Sequence, residues 1–212
     1  MVELDQEVAA FRAAHSIRAL IAISGTSDDN PATNAVADDV VGALRGADIG
    51  IVTSDTKKGV PFHTLASAGQ NKIGVVRVFP SRAASHDHLA PATVAIEIPV
   101  LPRIGQSEWG DESEVFVKLA DGMIFIGGGA GTLVEIAHWA KMNKSRADRK
   151  RPLIPAVPIA GVGGWSDWLA WQGLVQFPEF ARDAIPKVPI TSGAAAVAWL
   201  LVRMNVAHGD RS

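Results

Sequence analysis

The sequence contains no cysteine, which removes disulfides, thiolate metal sites, Fe–S clusters and thiol nucleophiles together. It also lacks an excess of positive charge. Twenty Lys and Arg stand against 22 Asp and Glu, a net charge of −2, so no global field draws the chain to nucleic acid or to an anionic membrane. No apolar run approaches the roughly 20 residues needed to cross a bilayer as a helix, and Ala194 to Val202 falls well short. The acidic start Met-Val-Glu-Leu-Asp-Gln-Glu has neither the basic leader nor the apolar stretch of a secretory signal. No G-x-S-x-G elbow surrounds Ser24, Ser27 or Ser54, and there is no tandem repeat or low-complexity tract. These absences lead us to expect a cytoplasmic protein with a small-molecule partner, without nucleic acid or membrane, and with no resident cofactor.

What is present reads as one α/β domain over residues 1–212. Hydrophobic residues at 48% and charged residues at 20% are those of a chain that folds on a core. Leu4, Val8 and Phe11 predict an amphipathic helix over Glu3 to Ala14. Arg18 to Ile23 is a short apolar run stopped by Ser24-Gly25-Thr26, the signature of a strand buried on both faces. After Asn30-Pro31, helical spacing resumes over Ala32 to Leu44. The alternation continues with strands at Asp48 to Thr53, Lys72 to Phe79, Ala92 to Ile98, Met123 to Ile126 and Pro152 to Pro158. Helices are expected from Val60-Pro61, over Glu112 to Leu119, and over Leu133 to Lys144. Strand and helix in turn predict a doubly wound, Rossmann-like three-layer sandwich with a mainly parallel sheet of six or seven strands.

Four segments invite a functional reading and a plainer one. The basic cluster Lys144 to Arg151 could hold a polyanion, but basic residues at a helix C-terminus are favoured by the helix dipole, and that is the expectation. Trp165, Trp168 and Trp171 recur every third residue, so on a helix they share roughly one face, suited to core or subunit packing or to a ligand wall. His86-Asp87-His88 lacks further ligands nearby, and no metal site is expected. Asp28 and Asp29 suit a turn before Asn30-Pro31 better than a ribose or magnesium site.

The strongest feature is the segment Met123 to Glu135, in which an apolar strand enters Gly127-Gly128-Gly129-Ala130-Gly131 and a helix leaves it. Glycines let a ligand approach the backbone, and the helix start offers unpaired N–H groups at the positive end of a dipole. A phosphate fits there. Thr132 offers a hydroxyl donor or a helix cap, and Glu135, one turn on, a carboxylate toward a sugar hydroxyl or back to the turn.

Gly127 to Glu135 resembles the P-G-G-x-G-T-x-x-E motif of the LOG-type phosphoribohydrolases, formerly described as lysine decarboxylases, within the SLOG group of Rossmann-like nucleotide binders. Gly127 stands at the family's proline, and Gly128, Gly129, Gly131, Thr132 and Glu135 match the remaining fixed positions. Leu119-Ala120-Asp121-Gly122 resembles the family's lead-in, and Ile21 to Ser27 its first strand and loop. Ile51-Val52-Thr53 and Gly59-Val60 resemble its second strand and following loop, with Ser54-Asp55-Thr56 in place of a glycine run. The resemblance implies nucleotide binding, a homodimer or higher homo-oligomer, and a ligand held by Gly25, Thr26, Ser27, Gly128, Gly129, Ala130, Gly131 and Thr132. It implies catalysis by Glu135 together with an arginine on the preceding helix, a position occupied here by Glu112, with Ser113 next to it.

That exchange leaves three readings open. Arg77, Arg82 or Arg103 supplies the cation; or Asp111, Glu112 and Glu135 form an acidic ribose site for a ligand whose charge lies elsewhere; or hydrolysis is lost. In the last case the protein is a sensor of a nucleotide or NAD-derived signal, or a carrier of a phosphorylated cofactor such as a pterin.

Overall fold

Short apolar runs that must be buried on both faces lie side by side in one parallel sheet, whose strands are β1 (Ala19–Gly25), β2 (Ile49–Thr53), β3 (Val75–Pro80), β4 (Ala95–Val100), β5 (Gly122–Ile126) and β6 (Ala156–Pro158). The computed structural model describes residues 2–81, 94–102, 111–176 and 183–206. Between and beyond the strands run α1 (Val2–Ala14), α2 (Pro31–Ala43), α3 (Gly59–Asn71), α4 (Asp111–Leu119), α5 (Ala130–Asp148), α6 (Gly164–Gln176) and α7 (Gly193–Arg203). Strand order is β4-β3-β2-β1-β5-β6, with every neighbouring pair parallel. The chain winds outward from β1 in one direction through β4, then returns to β1's other side with β5. That reversal between β1 and β5 is the topological switch point, where doubly wound folds open a crevice beyond the strands' carboxyl ends.

Side-chain alternation along the strands divides the core in two. Leu20, Ala22, Val52, Val76, Met123 and Phe125 pack beneath α1, α4, α5 and α6, meeting Phe11, Phe116, Trp139 and Leu169. Ile21, Ile23, Ile51, Val75, Ile124 and Val157 point the other way, against Val40 of α2, Leu65 of α3 and Leu200 of α7. The three-layer sandwich expected from the sequence is the fold, with six strands.

Several boundaries move for identifiable reasons. Lys72 adopts φ +56° as the left-handed C-cap of α3, so β3 begins at Val75 rather than at Lys72. Helix α5 begins inside the glycine motif and runs to Asp148, longer at both ends than its apolar spacing indicated. The approach to β6 is held by side chains rather than by strand pairing: buried Asn143 donates to the Ile154 carbonyl (3.0 Å) and accepts from its N–H (2.8 Å). The Trp139 indole donates to the same carbonyl (2.8 Å). Only Ala156–Pro158 is therefore strand. Helix α7, capped by Ser192, was read in the sequence only as an apolar stretch too short to span a membrane. Among the described residues no helix is long and apolar enough to cross one.

Two of the plainer expectations, for the basic cluster and for the tryptophans, fare differently. The basic cluster lies at the end of α5, where Lys144 pairs with Asp148 (3.2 Å) and Arg146 donates to the Pro152 carbonyl, as the helix-end reading requires. The tryptophans do not share one role. Trp165 and Trp168 meet edge to face and pack on the core, whereas Trp171 is 58% exposed and donates to Asp167 (2.8 Å). Positions six apart on a helix lie about 120° apart around its axis, a third of a turn, which separates Trp171 from Trp165.

Asn143 provides a direct test of this packing. Asn143→Ala leaves the Ile154 N–H buried and unpaired, while the carbonyl keeps Trp139. Urea unfolding should show a loss of about 1–3 kcal/mol; an unchanged midpoint would mean that the clamp does not hold the edge of the sheet.

Candidate functional site

Strand β5 ends at Ile126, and the next two residues take backbone angles that side chains disfavour, with φ +62° at Gly127 and +96° at Gly128. A Cβ on Gly128 would lie 2.1 Å from the Thr132 hydroxyl oxygen. This double bend turns the chain directly into α5, whose N-cap is Gly129. No side chain among the described residues caps that terminus, so of the two roles open to Thr132 the helix cap is not the one it takes. Thr132 is instead a buried first-turn residue whose hydroxyl faces Ser24 at 3.4 Å.

The carbonyls of the bend are satisfied from behind. Ser166 N–H donates to Gly127 O (3.0 Å) and Trp165 N–H to Gly128 O (3.2 Å), so the first turn of α6 braces the glycines. The approach is close: a Cβ on Gly164 would sit 2.5 Å from the Gly128 carbonyl oxygen. On the other side, Gly129, Ala130 and Gly131 are exposed, and a Cβ on Gly129 or Gly131 would meet nothing within 4 Å.

That open side faces a cavity of about 240 Å³. Gly129, Ala130, Gly131, Thr132 and Glu135 form its wall from α5, and Gly25, Thr26, Ser27 and Asp28 from the loop after β1. Ser54, Asp55 and Thr56 follow from the end of β2, then Val78, Phe79 and Pro80 from the end of β3. Glu112, Ser113 and Phe116 of α4 lie across from them. Of the predicted binding residues, Gly128 is the one that does not line the cavity; it packs behind, against Thr132 and α6. Gly25 is in the wall, but its want of a side chain also serves packing, since a Cβ there would lie 2.6 Å from Val60. The loop is tied down by Val60 N–H donating to Thr26 O (2.9 Å) and Asp28 N–H donating to the Thr26 hydroxyl (3.1 Å).

Glu135 and Glu112 come together in this cavity. Glu135 accepts a short hydrogen bond from Ser24, which rises from β1 on the same face as Ala22. Burial, only partly offset by the Ser24 hydroxyl and reinforced by the negative Glu112, pushes the Glu135 carboxyl up to about 7. It is therefore a proton donor and acceptor near neutral pH.

Among the described residues no arginine or lysine lines the wall as the replacement cation that one of the three readings calls for. Arg77 is buried and bound to Asp55 (2.5 Å) and Glu97 (3.0 Å). Arg82 and Arg103 lie outside the described residues, as does His86-Asp87-His88. Asp28 both lines the cavity and donates its N–H to the Thr26 hydroxyl, while Asp29 accepts from Asn34 (2.7 Å) and Asn30 caps α2, so the pair stands in the turn expected before Asn30-Pro31. Sequence reasoning missed Asp55 and the apolar end of β3; the first is readable only once Arg77 is known to reach it.

No protein-family model matches the sequence, and no curated protein does. Solved structures share its fold. The molybdenum cofactor binding protein of Rippkaea orientalis superposes with TM-score 0.59 at 19% identity, over 89% of this chain and 98% of that one. The molybdenum cofactor carrier protein of Chlamydomonas reinhardtii gives 0.57 at 12%, over 88% and 98%. DNA processing protein A of Streptococcus pneumoniae gives 0.55 at 15%, over 85% of this chain and 61% of that one. The Rossmann-like architecture is thus common to all four.

Glu135 binds its proton more tightly folded than unfolded, so its contribution to stability is largest at low pH and falls as pH rises from about 4.5 to about 7. Glu135→Gln should abolish that part of the pH dependence. At pH 8 the variant should be more stable than wild type by on the order of 1–3 kcal/mol, with the gap closing toward pH 4. Urea titrations across this range measure it; parallel curves would show that the carboxyl is not desolvated.

Proposed function

We propose that this protein binds a small phosphorylated, nucleotide-like ligand, with the phosphate on the first amides of α5 and the remainder lying across the carboxyl ends of β1, β2 and β3. The carrying observation is the uncapped α5 terminus, opening through Gly129 and Gly131 onto a cavity at the switch point of the sheet. A volume of about 240 Å³ favours a mononucleotide-sized molecule over a dinucleotide, since pockets for larger ligands run to roughly 300–1,000 Å³. Gly25, Thr26, Ser27, Gly129, Ala130, Gly131 and Thr132 surround the phosphate end, and Glu135 the sugar. The fold shared with the molybdenum cofactor carrier and binding proteins supports a ligand that is held rather than consumed.

A second reading, the N-glycosidic hydrolysis implied by the LOG-like motif, is favoured by the paired carboxylates. Protonated Glu135 donates its proton to the departing base as the C–N bond breaks, the negative Glu112 stabilises the positive charge that develops on the sugar, and water adds to that carbon and returns its proton to Glu135. In this reading the missing family cation is not needed at the bond that breaks.

The readings separate in one experiment. Purified protein is incubated with a panel of nucleoside 5′-monophosphates and a phosphorylated pterin, with thermal shift reporting binding and chromatography reporting free base. A shift without release supports the holding reading, and release abolished by Glu135→Ala supports hydrolysis. Gly131→Val should weaken binding at least tenfold in either case, because its side chain occupies the phosphate position. Wild-type binding in that variant, or no shift from any member of the panel, would sink the assignment.

A further inference from the structure

Ser24 does not line the cavity, yet it touches two residues that do. It stands near the end of β1 and is 3% exposed. Its hydroxyl is hydrogen-bonded to Oε2 of Glu135 and lies 3.4 Å from Oγ1 of Thr132, within reach of a weak hydrogen bond. Thr132 and Glu135 are three residues apart on α5, so they stack on one face of the helix. Thr132 is in the first turn, at the terminus offered to an anion, and Glu135 is one turn deeper. The two hydroxyls and the carboxyl thus form a chain, with Ser24 in the middle.

Such a chain has a direction, because a hydroxyl has one proton to donate and an ionised carboxylate has none. With Glu135 ionised, Ser24 donates to Oε2 and its oxygen accepts from Thr132. The Thr132 oxygen then turns lone pairs toward an anion at the helix start. With Glu135 protonated the order reverses: the carboxyl donates to Ser24, Ser24 donates to Thr132, and the Thr132 proton is released to the anion. Burial holds the Glu135 carboxyl up at about 7, so the reversal falls near neutral pH. The charged groups that share the cavity with Glu135 are Glu112 of α4, Asp28 after β1 and Asp55 after β2, the last paired with Arg77 of β3. His138 follows one turn on along α5, and Asp167 of α6 is turned to Gly161 and Trp171. These groups shift the pH at which Glu135 ionises or act on an anion directly, whereas Ser24 links its carboxyl to Thr132.

We propose that Ser24 is a positioning residue that couples the anion site to Glu135: the proton on Glu135 decides whether the Thr132 hydroxyl donates to the phosphate of the ligand or turns away from it, so that phosphate is bound with uptake of a proton. The inference rests on the binding reading above and adds its regulation by pH. Binding selects the protonated chain, so affinity is highest below about pH 7 and falls as Glu135 ionises above it. Thr132 touches the ligand, and Ser24 acts through Thr132.

Sulfate is the probe, because its charge does not change between about pH 5.5 and about pH 8.5; it is titrated at constant ionic strength with tryptophan fluorescence as the signal. Thr132→Val should weaken sulfate binding about tenfold at the lower pH and less than about threefold at the higher, and Thr132→Ala provides a second measure of the same cost. A direct effect of Glu135, Glu112 or His138 on the anion acts on both proteins alike and cancels in this comparison. In Ser24→Ala the Thr132 hydroxyl is released from the chain, so removing it should cost the same at both pH values. Ser24→Thr should restore the difference, and Glu135→Gln, which donates at every pH, should show the larger cost throughout. A merely structural role for Ser24 would lower affinity equally across the range. Equal costs of Thr132→Val at the two pH values in the otherwise wild-type protein, or a pH-dependent cost that survives Ser24→Ala, overturns the coupling and leaves phosphate binding intact. If wild type binds sulfate at neither pH, the phosphate site falls and the coupling with it.

Discussion

Behind the glycine turn, the amides of Trp165 and Ser166 donate to the carbonyls of Gly128 and Gly127, and these bonds decide which way α5 faces. A chain that bends twice through positive φ exposes peptide groups on both sides of the bend. Buried carbonyls left without donors would cost about 1–3 kcal/mol each. The start of α6 meets that requirement from one side, leaving the N–H groups of the first α5 turn open on the other. Close approach requires glycine at Gly164 as well as at Gly128, since a Cβ on either would fall within 2.5 Å of its neighbour. The cavity is therefore a product of two turns, after β5 and after β6, although only the first carries a motif that can be read in one dimension.

That difference explains how much of the molecule was legible. Strands buried on both faces announce themselves, as Ala19–Gly25 and Gly122–Ile126 do, because continuous apolar sequence has few other uses in a charged, globular chain. Their parallel order followed from strand and helix alternating. The glycine motif was legible because its spacing serves backbone geometry, which is local. Gly128 shows the limit: its conservation of space serves Thr132 and α6 rather than the cavity, and nothing in the spacing distinguishes it from Gly129. Arg77 was read as a candidate cation for phosphate, but two acids that are distant in sequence, Asp55 and Glu97, claim it. Register places Arg77 beside Glu97 on the neighbouring strand, and register is set by the whole sheet. Trp171 fails in the same way, since only the packed helix reveals which of three tryptophans reaches solvent.

The electrostatics of the cavity narrow the ligand further. Asp28, Asp55, Glu112 and Glu135 line it, and among the described residues no basic side chain does. A unit charge 8 Å from another interacts by about 2 kcal/mol at an effective dielectric of 20. Two ionised carboxylates at that distance would therefore oppose each unit of phosphate charge by about 4 kcal/mol. Charge-assisted bonds from α5 amides contribute about 1.5–3 kcal/mol each, with the helix dipole adding up to about 2. Two or three amides can offset the repulsion of one phosphate. They cannot do so for a second and third, whose oxygens would reach past the helix end toward the acids.

Protonation of Glu135 near neutrality belongs to the same balance. Left ionised beneath the α5 terminus, it would compete with a bound anion for the positive end of the dipole and repel it across the first turn. Pushed up to about 7 by burial and by Glu112, it carries only part of its charge near neutrality, which weakens one of the opposing charges and leaves a proton to donate. On the proposed binding reading, the acids farther along the wall would face the uncharged part of a ligand, where hydroxyl and N–H donors need acceptors. A molecule with its negative charge confined to one end and donors along its length satisfies every part of this cavity at once; a polyphosphate, or a neutral sugar without phosphate, leaves one end of it unmet.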